Sequence, residues 1–130
     1  MPSENNGIHI LFVDDESNLL LAIKRLLKRR GYTVTSVNGS NEAIKLIKKH
    51  HDKYDVIITD YWMPGMNGIE LALAAGKLLV DTPVILLTGK IDPFDKNQIN
   101  EAGIAGVVNK PCKIEELDFI IQKVINENSK

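Results

Sequence analysis

The chain has 130 residues, a formal charge of −1, 44% hydrophobic and 25% charged side chains, and a pI of 6.3. That is room for one compact domain with a hydrophobic core, and the composition excludes collagen-like, coiled-coil and disordered chains. A nearly neutral balance does not draw the chain onto phosphate backbones or anionic lipid, so no direct nucleic-acid contact is expected. No apolar run approaches the roughly 20 residues that span a bilayer, so no membrane association is expected either.

The lone Cys112 has no internal disulfide partner, and Met1 to Gly7 is polar, without the apolar core of a secretory leader. These features predict a cytoplasmic protein with a flexible N-terminus over 1–7 and a core over 8–127, read as a single domain over 1–130.

In chain order, Ile8 to Val13 is a short apolar run of strand formers that stops on Asp14-Asp15-Glu16. Leu19, Leu20, Ile23, Leu26 and Leu27 then recur at helical spacing, and Gly31 stands where the helix should stop. Lys24, Arg25, Lys28, Arg29 and Arg30 gather toward that end, where positive charge suits the helix dipole.

Thr33 to Val37 predicts a second strand, Ser40 or Asn41 a helix cap, and Ala43, Ile44 and Ile47 the buried stripe of a second helix. Tyr54 to Thr59 is a third apolar strand and ends on Asp60. A loop with Pro64 and Gly65 leads to a helix from about Asn67 to Leu79. Val84 to Leu87 ends at Thr88-Gly89, and Asp92-Pro93 combines a cap with a first-turn proline. Ile104 to Val108 runs into Asn109-Lys110-Pro111, and Ile114, Leu117, Ile120, Ile121, Val124 and Ile125 stripe the last helix.

Strict alternation of strand and helix means α/β: parallel strands need long crossovers, and short apolar strands suit burial on both faces. Right-handed crossovers favour an open, doubly wound sheet of five strands, (βα)5, with ligands beyond the carboxyl ends of the strands. Asp14, Asp15 and Glu16 stand at that rim after the first strand, Asp60 after the third, Thr88 after the fourth and Lys110 after the fifth. A single polar residue there is an ordinary loop start or cap. Several converging carboxylates repel unless a cation or proton compensates, and an oxygen-rich set of this kind suits magnesium.

The inventory is what phosphoryl transfer to a carboxylate needs: a nucleophile, charge neutralisation on the equatorial oxygens, and small donors. Asp60 sits centrally and is the nucleophile candidate; Asp14 and Asp15 are placed to hold metal; Thr88 and the backbone of Gly89 can donate to phosphoryl oxygens.

Four blocks carry a family likeness: Val13-Asp14-Asp15-Glu16, Asp60 through Gly68, Pro83 through Gly89, and Lys110-Pro111. In that order and spacing the chain resembles the receiver domain of two-component response regulators from Ile8 to Ile125. The resemblance implies the strand order 2-1-3-4-5 and a phosphoacceptor Asp60 charged from a phosphohistidine on a sensor histidine kinase or histidine phosphotransfer protein. It further implies magnesium held by Asp15, Asp60 and the Trp62 carbonyl with Asp14 assisting, phosphoryl contacts from Thr88 and Lys110, and a cis bond before Pro111. Catalysis would be limited to the domain's own phosphorylation and dephosphorylation. Output would pass by conformational change to a downstream protein of unknown identity, from a monomer or weak homodimer.

Two positions depart from the family pattern. Val107 stands three residues before the lysine, where an aromatic residue often swings inward. Trp62, two after the acceptor, is bulkier than usual, and its indole is read either as a shield over an acyl phosphate or as packing on the loop. Lys90 reads as solvated, His50 and His51 as helix-end surface, and Cys112 as a bystander. The run Leu71 to Gly76 is apolar nearly all round and is weighed as a contact surface.

Other functions compete with this one. A haloacid dehalogenase-type phosphatase would need a general acid two after its nucleophile, where Trp62 stands. A flavodoxin would need a phosphate loop after the first strand, where acids stand instead. A relay or sink module of a hybrid kinase would use the same site.

Overall fold

The computed structural model describes residues 7–15, 17–78, 81–89 and 96–128. The expected flexible stretch at 1–6, Glu16, Leu79, Lys90, the Asp92-Pro93 helix opening and the side chains of Leu19 and Leu20 lie outside the described residues. The elements alternate as β1 (His9–Asp14), α1 (Ser17–Arg29), β2 (Thr33–Asn38), α2 (Ser40–Lys49), β3 (Val56–Asp60), α3 (Gly68–Leu78), β4 (Val84–Thr88), α4 (Lys96–Glu101), β5 (Ile104–Asn109) and α5 (Ile114–Asn128).

The five strands form one parallel sheet in the order β2-β1-β3-β4-β5. This is the doubly wound α/β fold with the flavodoxin-like order, as expected. Side chains alternate across the sheet. Leu11, Val13, Ile57, Val84 and Leu86 join α2 and α3 residues in one apolar layer. Ile10, Phe12, Val56, Ile58, Ile85 and Leu87 join Leu27 and the α5 residues Leu117, Ile121 and Val124 in the other. With β3 and β4 wholly buried, their continuous apolar runs are explained by cover on both faces.

Local signals end the helices. At the end of α1 the N–H of Gly31, at φ +97°, donates to Lys28 O at 3.0 Å, and Lys28 and Arg29 occupy the last turn where the dipole favours them. Tyr32 then donates its hydroxyl to Asp118 of α5, Arg30 pairs with the same carboxylate at 3.0 Å, and Gln122 donates to Tyr32 Oη at 2.8 Å. These contacts tie the turn after α1 to α5. Burial first, and the bond to Asp118 second, push the Tyr32 phenol well up, so it stays protonated.

One expectation needs correcting. Neither Ser40 nor Asn41 caps α2; Gly39 takes the N-cap position at φ 109° with no side-chain cap bond. That backbone angle suits a residue without Cβ, and the turn from β2 therefore places Ser40 inside the helix, buried. The apolar run in α3 is also resolved: Ile69, Leu71, Ala72 and Ala75 are buried, whereas Leu73 and Leu78 stay exposed.

At the start of β1, His9 is bonded through Nε2 to Thr35 Oγ1 at 2.7 Å, and its backbone N–H donates to Asp55 Oδ2 at 2.7 Å. Desolvation, aided by Lys53, lowers the ring's pKa below the ordinary 6.5. Above that value the folded and unfolded states both carry a neutral ring. As pH falls through 6.5 the unfolded chain binds the proton first, so stability is lost toward the lower folded value. Urea midpoints taken at about pH 7.5 and about pH 5.5 should therefore drop less for His9→Gln than for the wild type.

Candidate active site at the carboxyl rim of the sheet

Two strands deliver the acidic cluster. β1 ends on Asp14, with Asp15 next, and β3 ends on Asp60. One oxygen from each of Asp14, Asp15 and Asp60 lies within 4.8 Å of the others. Asp14 is fully buried and Asp60 is 6% exposed, while Asp15 faces solvent. At an effective dielectric near 20, ionised Asp14 and Asp60 at such a separation repel by about 3–4 kcal/mol.

Two features offset that repulsion. Lys110, delivered just beyond the end of β5, places Nζ 2.7 Å from Asp60 Oδ1. The backbone N–H of Tyr61 donates to the same oxygen at 3.0 Å. Asp14 Oδ2, in contrast, is buried and accepts no hydrogen bond. A hard divalent cation is the partner that an all-carboxylate set with such an oxygen fits.

The backbone beneath Asp60 is fixed from both sides. Tyr61 N donates to Leu87 O at 3.0 Å, and Gly68 N donates to Tyr61 O at 2.8 Å. The intervening loop turns at Gly65, φ +83°, and α3 opens with a reciprocal cap: Glu70 N donates to Asn67 Oδ1 at 2.9 Å, and Asn67 N donates to Glu70 Oε1 at 3.0 Å. α3 thus begins directly against the end of β3.

An open pocket of about 510 Å³ is lined by Asp15, Asp60, Trp62, Met63, Pro64 and Lys110. The Trp62 indole is 58% exposed and meets the Tyr61 ring edge-on at 5.0 Å. The Lys110–Pro111 bond is cis, as the resemblance implies. Cys112 packs half-buried against the α5 layer, and burial, then Glu116, push its thiol up, which keeps it protonated and unreactive. His51 is exposed and His50 ends α2 with its N–H on Leu46 O, as expected of helix-end surface.

Thr88 stands at the end of β4, 2% exposed, with Gly89 partly exposed beside it. Its hydroxyl donates to Asn109 Oδ1 at 3.1 Å, so the structure brings Asp14, Asp15, Asp60 and Lys110 together but holds the Thr88 proton elsewhere. Asn109 was not anticipated from the sequence. Its signal was the pairing of β4 with β5, which sets Thr88 opposite Asn109.

The family model described as "Response regulator receiver domain" matches residues 10–122. The chain belongs to that family. It is 35% identical over 122 residues to the two-component response regulator ARR10 of Arabidopsis thaliana, covering 94% of this chain and 22% of that protein. The chain thus spans about a fifth of the length of the curated relatives it matches. Among solved structures, a response regulator receiver domain protein from Clostridium thermocellum is similar at 30% identity and TM-score 0.88, covering 94% of this chain and 97% of that one. Chemotaxis protein CheY4 of Vibrio cholerae is similar at 30% identity and TM-score 0.82, covering 90% and 98%.

This chain is therefore a receiver domain, and its Asp14, Asp15 and Asp60 cluster matches the magnesium pocket of that family. Among the described residues no helix is long and apolar enough to cross a membrane.

Gly68 offers a direct check on how tightly the end of β3 is held. A Cβ there would lie 2.4 Å from Asp60 O and 2.6 Å from Leu86 Cδ1. Backbone cannot yield as a flexible side chain does, so Gly68→Ala should cost about 1–3 kcal/mol, measured as a lower urea midpoint at unchanged slope. The same variant should accept phosphate from acetyl phosphate more slowly than wild type.

Proposed function

We propose that Asp60 is the phosphoacceptor, that Lys110 and Thr88 serve the transferred phosphoryl group, and that the whole described chain acts as one receiver unit. The observation that carries the reading is the 2.7 Å contact of Lys110 Nζ with Asp60 Oδ1 beside the acid cluster. The ammonium offsets the repulsion within the acid cluster at rest, and it also stands where the three negative oxygens of a phosphoryl group would arrive.

In this reading an Asp60 carboxylate oxygen attacks phosphorus in line. The P–N bond of a phosphohistidine breaks as the O–P bond forms, and the imidazole departs with its bonding electron pair. Lys110 follows the charge from the carboxylate to the equatorial oxygens, and the Thr88 hydroxyl and Gly89 N–H supply further donors. Asp14, Asp15, Asp60 and the Trp62 carbonyl would hold magnesium, which would supply divalent charge against the crowded carboxylate and phosphoryl oxygens. The donor is a sensor histidine kinase or a histidine phosphotransfer protein, and the place of action is the cytoplasm.

A second reading, a relay or sink module, is favoured by Val107. This side chain is 40% exposed and has no ring to swing inward, so an aromatic switch is not available to announce phosphorylation. Efficient return of phosphate from the labelled chain to a histidine phosphotransfer domain would support that role.

Incubation with acetyl phosphate and magnesium should add one phosphoryl group to the intact mass of the wild type and none to Asp60→Asn; labelling of the variant would sink the assignment. Omission of magnesium should abolish the gain. Trp62 lines the pocket of the acceptor, and its indole keeps water from the acyl phosphate; decay of the wild-type adduct should speed up severalfold in Trp62→Ala, and an unchanged rate would remove that role.

A further inference from the structure

We infer that Asn109 is a positioning residue for phosphoryl capture: its side-chain oxygen holds the hydroxyl proton of Thr88 in the resting domain and must release it before Thr88 can serve the phosphoryl group. The inference rests on the reading of Thr88 as a phosphoryl donor.

A threonine hydroxyl has a single proton to donate. Here it goes to Asn109 Oδ1 at 3.1 Å, so the same proton cannot be given to a phosphoryl oxygen at the same time. The two bonds exclude each other. The backbone leaves little other freedom, because Thr88 is paired across the sheet with Asn109 and its carbonyl accepts the N–H of Lys110 at 2.7 Å. With the main chain tied to the end of β5, a change of partner is mainly a rotation about χ1. That rotation exchanges the hydroxyl and methyl between staggered positions.

Burial makes the choice a discrete one. Thr88 is 2% exposed, so water does not readily replace a lost acceptor for its hydroxyl, and the proton belongs either to Asn109 or to the incoming group. Asn109 is exposed, so its amide oxygen is rehydrated on release. The asymmetry keeps the latch cheap to open while fixing where it opens to. A neutral hydrogen bond of this kind, once removed, changes the balance by about two- to tenfold. The ammonium next in sequence, Lys110, already touches Asp60, so one strand end carries both the cation that meets the phosphoryl group and the acceptor that competes with it for Thr88.

The test uses beryllofluoride, which occupies the place of a phosphoryl group on a carboxylate, with magnesium in excess. The single tryptophan lines the same pocket, so its fluorescence reads half-saturation. Asn109→Ala and the similarly sized, non-accepting Asn109→Leu should both lower the half-saturating concentration, by about two- to tenfold. Thr88→Val, which keeps the shape and removes the hydroxyl, should raise it, and in that background the Asn109 substitutions should change nothing. A merely structural role for Asn109 would persist without the hydroxyl.

An effect of Asn109→Ala that is equal in the wild-type and Thr88→Val backgrounds, or absent while Thr88→Val alone weakens binding, overturns the latch and leaves the Thr88 reading standing. Unchanged binding in Thr88→Val overturns both.

Discussion

Crowded negative charge at one rim of the sheet sets the terms for everything around it. Parallel β1 and β3 are neighbours, so Asp14 and Asp60, each ending its own strand, are forced together at the same level. Both are removed from water, and their repulsion is large on the scale of a domain's net stability. A fold does not keep such a pair unless something compensates, and the compensation here is divided. Lys110 and the Tyr61 N–H both address Asp60 Oδ1. Asp14 Oδ2 is left for a cation. The division suits a cation beside one acid and sets an ammonium on the other, an arrangement that fits the proposed receipt of a phosphoryl group.

The frame that holds this arrangement is stiff where it touches Asp60 and looser farther out. Tyr61 is bonded to β4, Gly68 to Tyr61, and α3 is capped within the next residues. There is no room at Gly68 even for a methyl group. On the outer side the pocket is open, and the exposed Trp62 is among its lining residues. Under the proposed role of Asp60, rigidity beneath the carboxylate and openness above it would serve different needs: the first would orient the attacking oxygen, the second would admit a phosphodonor.

Much of this was legible in the chain, for a physical reason. Strands buried on both faces must be short and apolar, so Asp14 and Asp60 stand out as the places where each run stops, and the alternation of runs dictates which rim they share. The helix stripes of α2 and α5 fell where the spacing put them. What escaped were features decided by a few ångströms or by one dihedral angle. The cap of α2 went to Gly39 because the turn demands a positive φ, and Ser40, a good cap by type, was drawn inside. Asn109 looked like any polar residue after a strand until register placed it opposite Thr88. Gly68 carried no role of its own in the sequence, and only its distance to Asp60 O reveals what it is for.

The same register bears on how such a domain signals without a ring at Val107. On β5, Val107 and Asn109 are two apart and so share a face, and both line a groove of about 510 Å³ with Glu115, Glu116 and the 67% exposed Phe119. An aromatic residue would move bulk across that face when Thr88 turns. Valine cannot, being small and stiff at χ1. An amide that loses its bond to Thr88 changes the face in another way, by exposing an oxygen that was engaged. The movement is smaller and polar where the usual one is large and apolar, so the groove beside α5 would register phosphorylation as a change in hydrogen bonding more than in shape.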